Sequence, residues 1–136
     1  MRKITTARVG AAVAVFATAT AVLSVAMPTA SATVTKVGAL PGMHYGVGTN
    51  YGTGCEYTVV ARVTDPVEPV AFYDNGIPLP VVRPSGGEAL LQWVPATPGP
   101  HTLSAVQGSE QTPLASVDLR VGTGSHVAHA CVVFGG

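Results

Sequence analysis

The segment CEYTVVARVT, residues 55–64, decides the fold class that this sequence predicts. From the cysteine onward every second residue is apolar, and the residues between them include charged and hydroxyl side chains. This period of two is typical of a β-strand with one face in a protein core and the other in water. The apolar face carries Cys55, Tyr57 and Val59, so we expect these side chains to point inward.

The same alternation recurs along the chain, and turn signals rich in Pro, Gly, Asp and Ser separate the apolar segments. The further inward-facing positions are Val70, Phe72, Ala89, Leu91, Trp93, Leu103, Ala105, Val117, Leu119 and Val121. Turns at intervals of about 8 to 12 residues indicate a sandwich. We therefore predict an all-β, antiparallel β-sandwich of about seven or eight strands. Its expected core includes Tyr57, Val59, Phe72, Leu91, Trp93, Leu103 and Leu119.

The stretch AFYDNGIPLP predicts a β-hairpin. Asn-Gly is a strong hairpin signal, because both residues tolerate positive φ and form a two-residue turn whose twist matches the strands. We interpret Asp74, Asn75 and Gly76 as the turn, in preference to chemical groups of a site. We expect the Asp74 carboxylate to accept hydrogen bonds from nearby backbone amides. Pro78 and Pro80 cannot donate to a ladder, so the returning strand is predicted to lie at a sheet edge.

Residues 70–121 resemble bacterial immunoglobulin-like repeats of the pattern VTFYDNG … GTATLTW … PAGTHTLTA … LTV. The residues that carry the resemblance are Val70, Phe72, Tyr73, Asp74, Gly76, Ala89, Leu91, Trp93, Gly99, His101, Leu103 and Ala105. The resemblance implies an immunoglobulin-like Greek-key sandwich, found in secreted and cell-surface proteins, usually as a repeated adhesive or spacer module. This chain differs in holding a single copy and in its tail from Ser125 to Gly136. Within that tail, HVAHACVVF is interpreted as one more short strand.

The N-terminus has the layout of a secretory signal peptide. Three basic residues (Arg2, Lys3 and Arg8) precede an apolar run over 9–26, and the small-residue triplet Ala-Ser-Ala ends at Ala32. We predict cleavage after Ala32, which leaves residues 33–136 as a single domain that is extracellular or associated with the cell wall. The alternative is an uncleaved membrane anchor, since the run approaches the ~20 residues that a spanning helix needs.

Signal cleavage changes the charge balance. Lys36, Arg62, Arg83 and Arg120 then face seven acidic residues, and 4 minus 7 gives a net charge of minus three. A chain without a basic cluster lacks the electrostatic footprint of a nucleic-acid binder and of a polybasic membrane patch. We therefore expect neither nucleic acid nor, after signal cleavage, a membrane as a partner.

Cys55 and Cys131 are the only two cysteines, and export would place them in an oxidising compartment. We predict a disulfide between them, which would close a 77-residue loop (131 minus 55, plus 1) and stabilise the domain by roughly 4 to 5 kcal/mol. The alternatives are two free thiols or a bridge to another chain.

The sequence offers no recognisable site for a cofactor or a metal. The glycine-rich stretch GVGTNYGTG precedes a strand and lacks a phosphate-binding motif, so we interpret it as a mobile loop. His126 and His129 would face opposite sides of a strand. Neither His44 nor His101 has a close ligand partner in sequence. We expect no cofactor and no metal.

Catalytic residues cannot be identified either, because no serine lies in a nucleophile-elbow context. Trp93 is in phase with the core positions, whereas Tyr73, Tyr45 and Tyr51 are candidate surface aromatics. We therefore predict a secreted, non-catalytic module that binds an unknown protein or glycan partner. The alternatives are a carrier of a small apolar ligand in a cleft of the sandwich and, as the least favoured, a small secreted hydrolase.

Overall fold

The computed structural model describes residues 31–136, and these form ten β-strands in two sheets. The first sheet has the order β1-β4-β7, with β1 Val34–Leu40, β4 Tyr57–Val63 and β7 Glu88–Trp93. The second has the order β2-β10-β9-β8-β5-β6, and β3 also pairs with β9. Its strands are β2 His44–Gly46, β3 Tyr51–Gly52, β5 Val70–Asp74, β6 Ile77–Val82, β8 Gly99–Gln107, β9 Ala115–Val127 and β10 Ala130–Phe134.

The predicted fold class is confirmed: the domain is an all-β immunoglobulin-like sandwich. The chain crosses between the sheets after β1, β3, β4, β6 and β7, so consecutive strands repeatedly pack across the core. All neighbouring strands are antiparallel except two short pairs, β2 with β10 and β3 with β9, which are parallel. The short β2 and β3 bring the strand number above the predicted seven or eight. β6 lies at an edge of the second sheet, as Pro78 and Pro80 predict.

The core lies where the inward faces of the two sheets meet. Among the residues expected there, Tyr57, Val59, Phe72, Leu91, Trp93 and Leu103 are buried. Leu119 is only partly buried, although it packs against the same cluster. Leu119 lies in β9, and the strand of the first sheet that covers β9 is β1, which is the edge of that sheet. Leu119 is therefore covered less completely than the other core residues.

The predicted disulfide is confirmed. Cys55 and Cys131 are bonded, with their Cα atoms 6.1 Å apart, and both are fully buried. Cys55 stands just before β4 of the first sheet, and Cys131 lies in β10 of the second. The bond therefore joins the two sheets covalently, and neither cysteine is a free thiol.

Two local expectations are wrong. The glycine-rich stretch begins at Gly46, the last residue of β2, and contains β3, and both strands pair with C-terminal strands. A Cβ on Gly52 would lie 2.8 Å from Val133 Cγ2, so only a glycine lets these strands approach. The HVAHACVVF tail is not one strand: β9 continues to Val127, a turn follows, and β10 begins at Ala130. Ala128 has a φ of 55° in that turn.

Residues 1–30 hold most of the predicted signal peptide and lie outside the described residues. Within residues 31–136 the structure contains no helix long and apolar enough to cross a membrane.

Candidate functional site

The hairpin between β5 and β6 is closed by the two residues Asn75 and Gly76. Their φ angles are 49° and 79°, the left-handed values that a type I′ turn requires. The Asn75 side chain also reaches β8: its Oδ1 accepts a 2.8 Å hydrogen bond from Thr102 N–H, and its Nδ2 donates to Pro100 O across 3.2 Å. The turn is thereby fixed to the start of β8.

The Asp74 carboxylate does not cap nearby backbone amides, contrary to expectation. Its Oδ2 accepts a hydrogen bond of 3.0 Å from Trp93 Nε1, and its Oδ1 accepts one of 2.7 Å from His101 Nδ1. Trp93 belongs to the first sheet, whereas Asp74 and His101 belong to the second. This carboxylate therefore connects the two sheets at the hairpin end of the sandwich.

Both ring nitrogens of His101 face acceptors. Nδ1 is directed at Asp74, and Nε2 donates to Thr97 O across 2.8 Å. A carboxylate and a carbonyl oxygen can only accept, so the ring satisfies both when it carries a proton on each nitrogen. The side chains are 5% exposed for His101 and 14% for Asp74, so this hydrogen-bonded pair is almost completely buried.

This geometry places an acid, a histidine and a hydroxyl in a row, because Thr97 Oγ1 lies 3.5 Å from His101 Nε2. A general base needs a free lone pair directed at the hydroxyl. Here the Nε2 proton is directed at the Thr97 carbonyl, and 3.5 Å is long for a hydrogen bond. The hydrogen bonds from Asp74 through His101 to Thr97 therefore stabilise the structure and do not activate Thr97 as a nucleophile.

Trp93 and His101 form one end of a connected group of aromatic rings. The ring centroids of Trp93 and Tyr57 are 5.8 Å apart, and those of Tyr57 and Tyr51 are 5.1 Å apart. His44 meets the edge of Tyr57 at 5.0 Å. These are contact distances for edge and tilted aromatic pairs, so the rings extend the core to this end of the sandwich.

The two tyrosines in this group are anchored by backbone hydrogen bonds. Tyr57 donates to Asn50 O at 2.9 Å and accepts from Gly52 N–H at 2.6 Å, while Tyr51 donates to Ala39 O at 2.8 Å. Burial raises the pKa of both phenols, and for Tyr57 the hydrogen bond from Gly52 opposes part of that rise. Tyr51 is therefore part of the packing, and its expected role as a surface aromatic is wrong.

The other aromatics and histidines lie apart. Tyr45 is exposed and Tyr73 is half-buried. His44 accepts at Nδ1 from Cys131 N–H, so its Nε2–H donates to Glu56 O. His126 bonds to Gly54 O, and His129 stands in the exposed turn before β10. Within residues 31–136 no three His, Cys, Asp or Glu side chains are grouped to hold a metal ion.

The outward side of the sheet β1-β4-β7 is the second candidate, and we call it the outer face. Three rows of paired residues cross it: Lys36–Arg62–Glu88, Gly38–Val60–Leu90 and Leu40–Thr58–Gln92. Arg62 Nε and Glu88 Oε1 lie 3.1 Å apart. A groove of about 310 Å³ runs over β1 and β4, and a Cβ on Gly38 would meet nothing within 4 Å. Sequence alternation identifies these outward positions but not the groove, which depends on strand order.

Comparison with known proteins gives similarity of fold only. No protein-family model matches the chain, and no curated protein is significantly similar. Among solved structures, a polysaccharide lyase is similar at 18% identity and a TM-score of 0.49 over 70% of this chain, but this chain covers only 12% of the lyase. The CARDB domain of a Pyrococcus furiosus protein, solved in complex with di-metal ions, is 19% identical, with a TM-score of 0.43, over 68% of this chain and 94% of its own.

A solution structure of the same CARDB domain is 21% identical, with a TM-score of 0.42, over 66% of this chain and 93% of its own. At these identities the likeness assigns no activity, ligand or partner to this chain. Membership of residues 70–121 in the bacterial repeat family stays a prediction.

Proposed function

We propose that this protein is a secreted, non-catalytic module that binds a protein partner through the outer face, at the cell envelope or outside the cell. The observation that carries the proposal is the middle row of that face, Gly38–Val60–Leu90. The outward side of an antiparallel sheet is ordinarily polar. Here the row is apolar, and Leu90 is 55% exposed.

The surroundings of this row favour a protein over a glycan. Lys36, Arg62 and Glu88 border the apolar row with charges of both signs. An apolar centre with a polar border is the usual anatomy of a protein–protein interface. The three rows contain no aromatic side chain, the usual platform on which a sugar ring stacks.

Export is supported by two observations. The residues before Thr33 have the layout of a signal peptide, and the Cys55–Cys131 disulfide is typical of proteins from oxidising compartments.

Site-directed photo-crosslinking tests the binding face. A photoreactive residue is placed at Gly38 and, as a matched control, at Ser116, which is exposed on the outward side of β9. We expect crosslinking to one defined protein from position 38 only. Gly38→Arg should reduce binding of that protein at least about tenfold, because the side chain fills the groove without backbone strain, whereas Ser116→Arg should not. Equal crosslinking from both positions would contradict the proposal.

A second candidate function is the carriage of a small apolar ligand. The observation that favours it is a groove of about 300 Å³ between β6 and the end of β7, lined mainly by apolar side chains that include Ile77, Leu79 and Val94. This volume is at the lower end of the range for small-molecule sites. Native mass spectrometry of gently purified protein distinguishes the two candidates, because a carrier retains a bound mass that Val94→Arg removes.

A further inference from the structure

The strands at the ends of the two sheets differ in how their open edges are protected. Exposed edges invite pairing with another chain, and prolines, lysines, bulges and short strands prevent it. β6 carries Pro78 and Pro80, β2 has three residues, and β1 has an irregular register and the exposed Lys36. β7 has none of these features: its sequence is EALLQW, and its register with β4 is unbroken.

The backbone groups on the open side of β7 can be identified from Glu88. Its N–H and C=O are both bonded to Ser85, which lies on the side away from β4. The backbone N–H and C=O groups of successive residues in a strand point alternately to its two sides. Those of Leu90, Gln92 and Val94 therefore point, like those of Glu88, away from β4. These groups have no backbone partner within residues 31–136. The edge therefore offers three consecutive outward-facing hydrogen-bonding positions.

When β7 of one copy pairs antiparallel with β7 of a second copy, one register uses the backbone groups of Leu90, Gln92 and Val94 in both strands. If Gln92 lies opposite Gln92 of a second copy, Leu90 lies opposite Val94 on both sides. Leu90 is 55% exposed and Val94 is 50% exposed, so each apolar side chain meets another one. The two glutamine amides can donate to and accept from each other. Ser85 already fills the position beside Glu88 on this side, so the added strand pairs only as far as Val94 of the second copy, and no like charges are opposed.

A second feature lies at the same place. The groove of about 300 Å³ described above extends from Val94 and Ala96 to Ile77, which is largely exposed on β6. A strand added to β7 would run along this groove and cover it. The apolar groove and the unprotected edge are thus neighbouring parts of one surface.

We propose that this surface binds a second copy of the same chain, and that β7 pairs antiparallel with β7 of that copy around Gln92. The two three-stranded sheets then form one six-stranded sheet. The two outer faces lie side by side on it, so the dimer can bind a partner at two sites. The pairing does not depend on the identity or existence of that partner.

Disulfide trapping tests the register directly. The Cα atoms of a hydrogen-bonded antiparallel pair are about 5.5 Å apart, within the range of a disulfide. Gln92→Cys should therefore form a covalent dimer rapidly under mild oxidation at micromolar concentration, while Ser116→Cys, exposed on the other sheet, should remain monomeric. The native disulfide is buried and does not compete. Equal trapping of both variants, or no trapping of Gln92→Cys, overturns the proposal.

Sedimentation of the unmodified protein provides the independent measurement. We expect a concentration-dependent dimer, which Gln92→Thr retains and Gln92→Pro loses, because proline removes an N–H that faces the open edge. Leu90→Lys should weaken association at least about tenfold. If Gln92→Pro does not fold, Leu90→Lys and the trapping result decide. A wild-type protein that stays monomeric into the millimolar range overturns the proposal, whatever its binding to other proteins.

Discussion

The indole N–H of Trp93 donates to the carboxylate of Asp74 across 3.0 Å and so joins the two sheets at the hairpin end. The same carboxylate accepts from His101, which makes one aspartate the link between β5, β7 and β8. An uncompensated buried polar group costs more than its hydrogen bond contributes. The stability of this end of the sandwich therefore depends on what stands at position 74.

We expect Asp74→Leu to lower the free energy of unfolding by about 3 kcal/mol, because it leaves two buried groups, Trp93 Nε1–H and His101 Nδ1, without a hydrogen-bond partner. Asp74→Asn is the matched control. Its Oδ1 can accept from Trp93 and its Nδ2 can donate to a neutral His101 ring, so we expect a loss of only about 1 kcal/mol. Urea unfolding followed by tryptophan fluorescence measures both. Equal losses would show that the network contributes little beyond packing.

Replacement of both cysteines by alanine should lower the free energy of unfolding by about 4 kcal/mol, because the unfolded chain gains the freedom of a long loop. Cys55 and Cys131 are fully buried. We also expect thiol reductants to open the bond slowly in the native protein and quickly in urea, since reduction needs access to a sulfur. Alkylation and mass spectrometry follow the reaction. Equal rates in both conditions would contradict the described burial.

Much of the fold could be predicted from the sequence because the deciding signals are local. Alternation assigns each side chain of β4 to a face within a few residues, and Asn75-Gly76 defines a turn by its own backbone preference. The Asp74 network could not be predicted, because its partners Trp93 and His101 are 19 and 27 residues away. Only the strand order brings them together.

The same reason explains what was missed elsewhere. The sequence pattern predicts a loop for the glycine-rich segment because it does not show that Gly46 pairs with Val133 of β10. The open edge of β7 is equally invisible in a linear pattern, because whether a strand ends a sheet depends on all the others. Predictions from this sequence therefore succeed for faces, for turns and for the pairing of the two cysteines, and fail for the other contacts between strands that are distant in sequence.

Stability should fall in alkaline solution because of Tyr57 and Tyr51. Burial raises the pKa of each phenol above its ordinary value of 10.0. The unfolded state then loses protons at a lower pH than the native state, so the free energy of unfolding decreases as pH rises above 10.0 and is unaffected by these groups below it. We expect Tyr57→Phe to be less stable at neutral pH, where it lacks two hydrogen bonds, but to show a shallower alkaline decline. An unchanged slope in Tyr57→Phe and Tyr51→Phe would refute this assignment.

Two glycines in strands should respond oppositely to alanine. A Cβ on Gly124 would clash with the Cys55 sulfur and with Thr53 O, whereas a Cβ on Gly38 would meet nothing within 4 Å. Neither residue has a positive φ, so alanine strains the backbone at neither position. The surroundings therefore decide whether the free energy of unfolding rises or falls.

We expect Gly124→Ala to destabilise the domain by at least about 2 kcal/mol, since the clash is with a disulfide and a backbone atom that cannot rotate away. Gly38→Ala should stabilise it by about 0.5 kcal/mol, because alanine restricts the unfolded chain. Thermal unfolding of the two variants measures the difference. If both lower the midpoint alike, the contact between β9 and the disulfide is looser than described, and the close approach of the two sheets at Gly124 does not limit the packing.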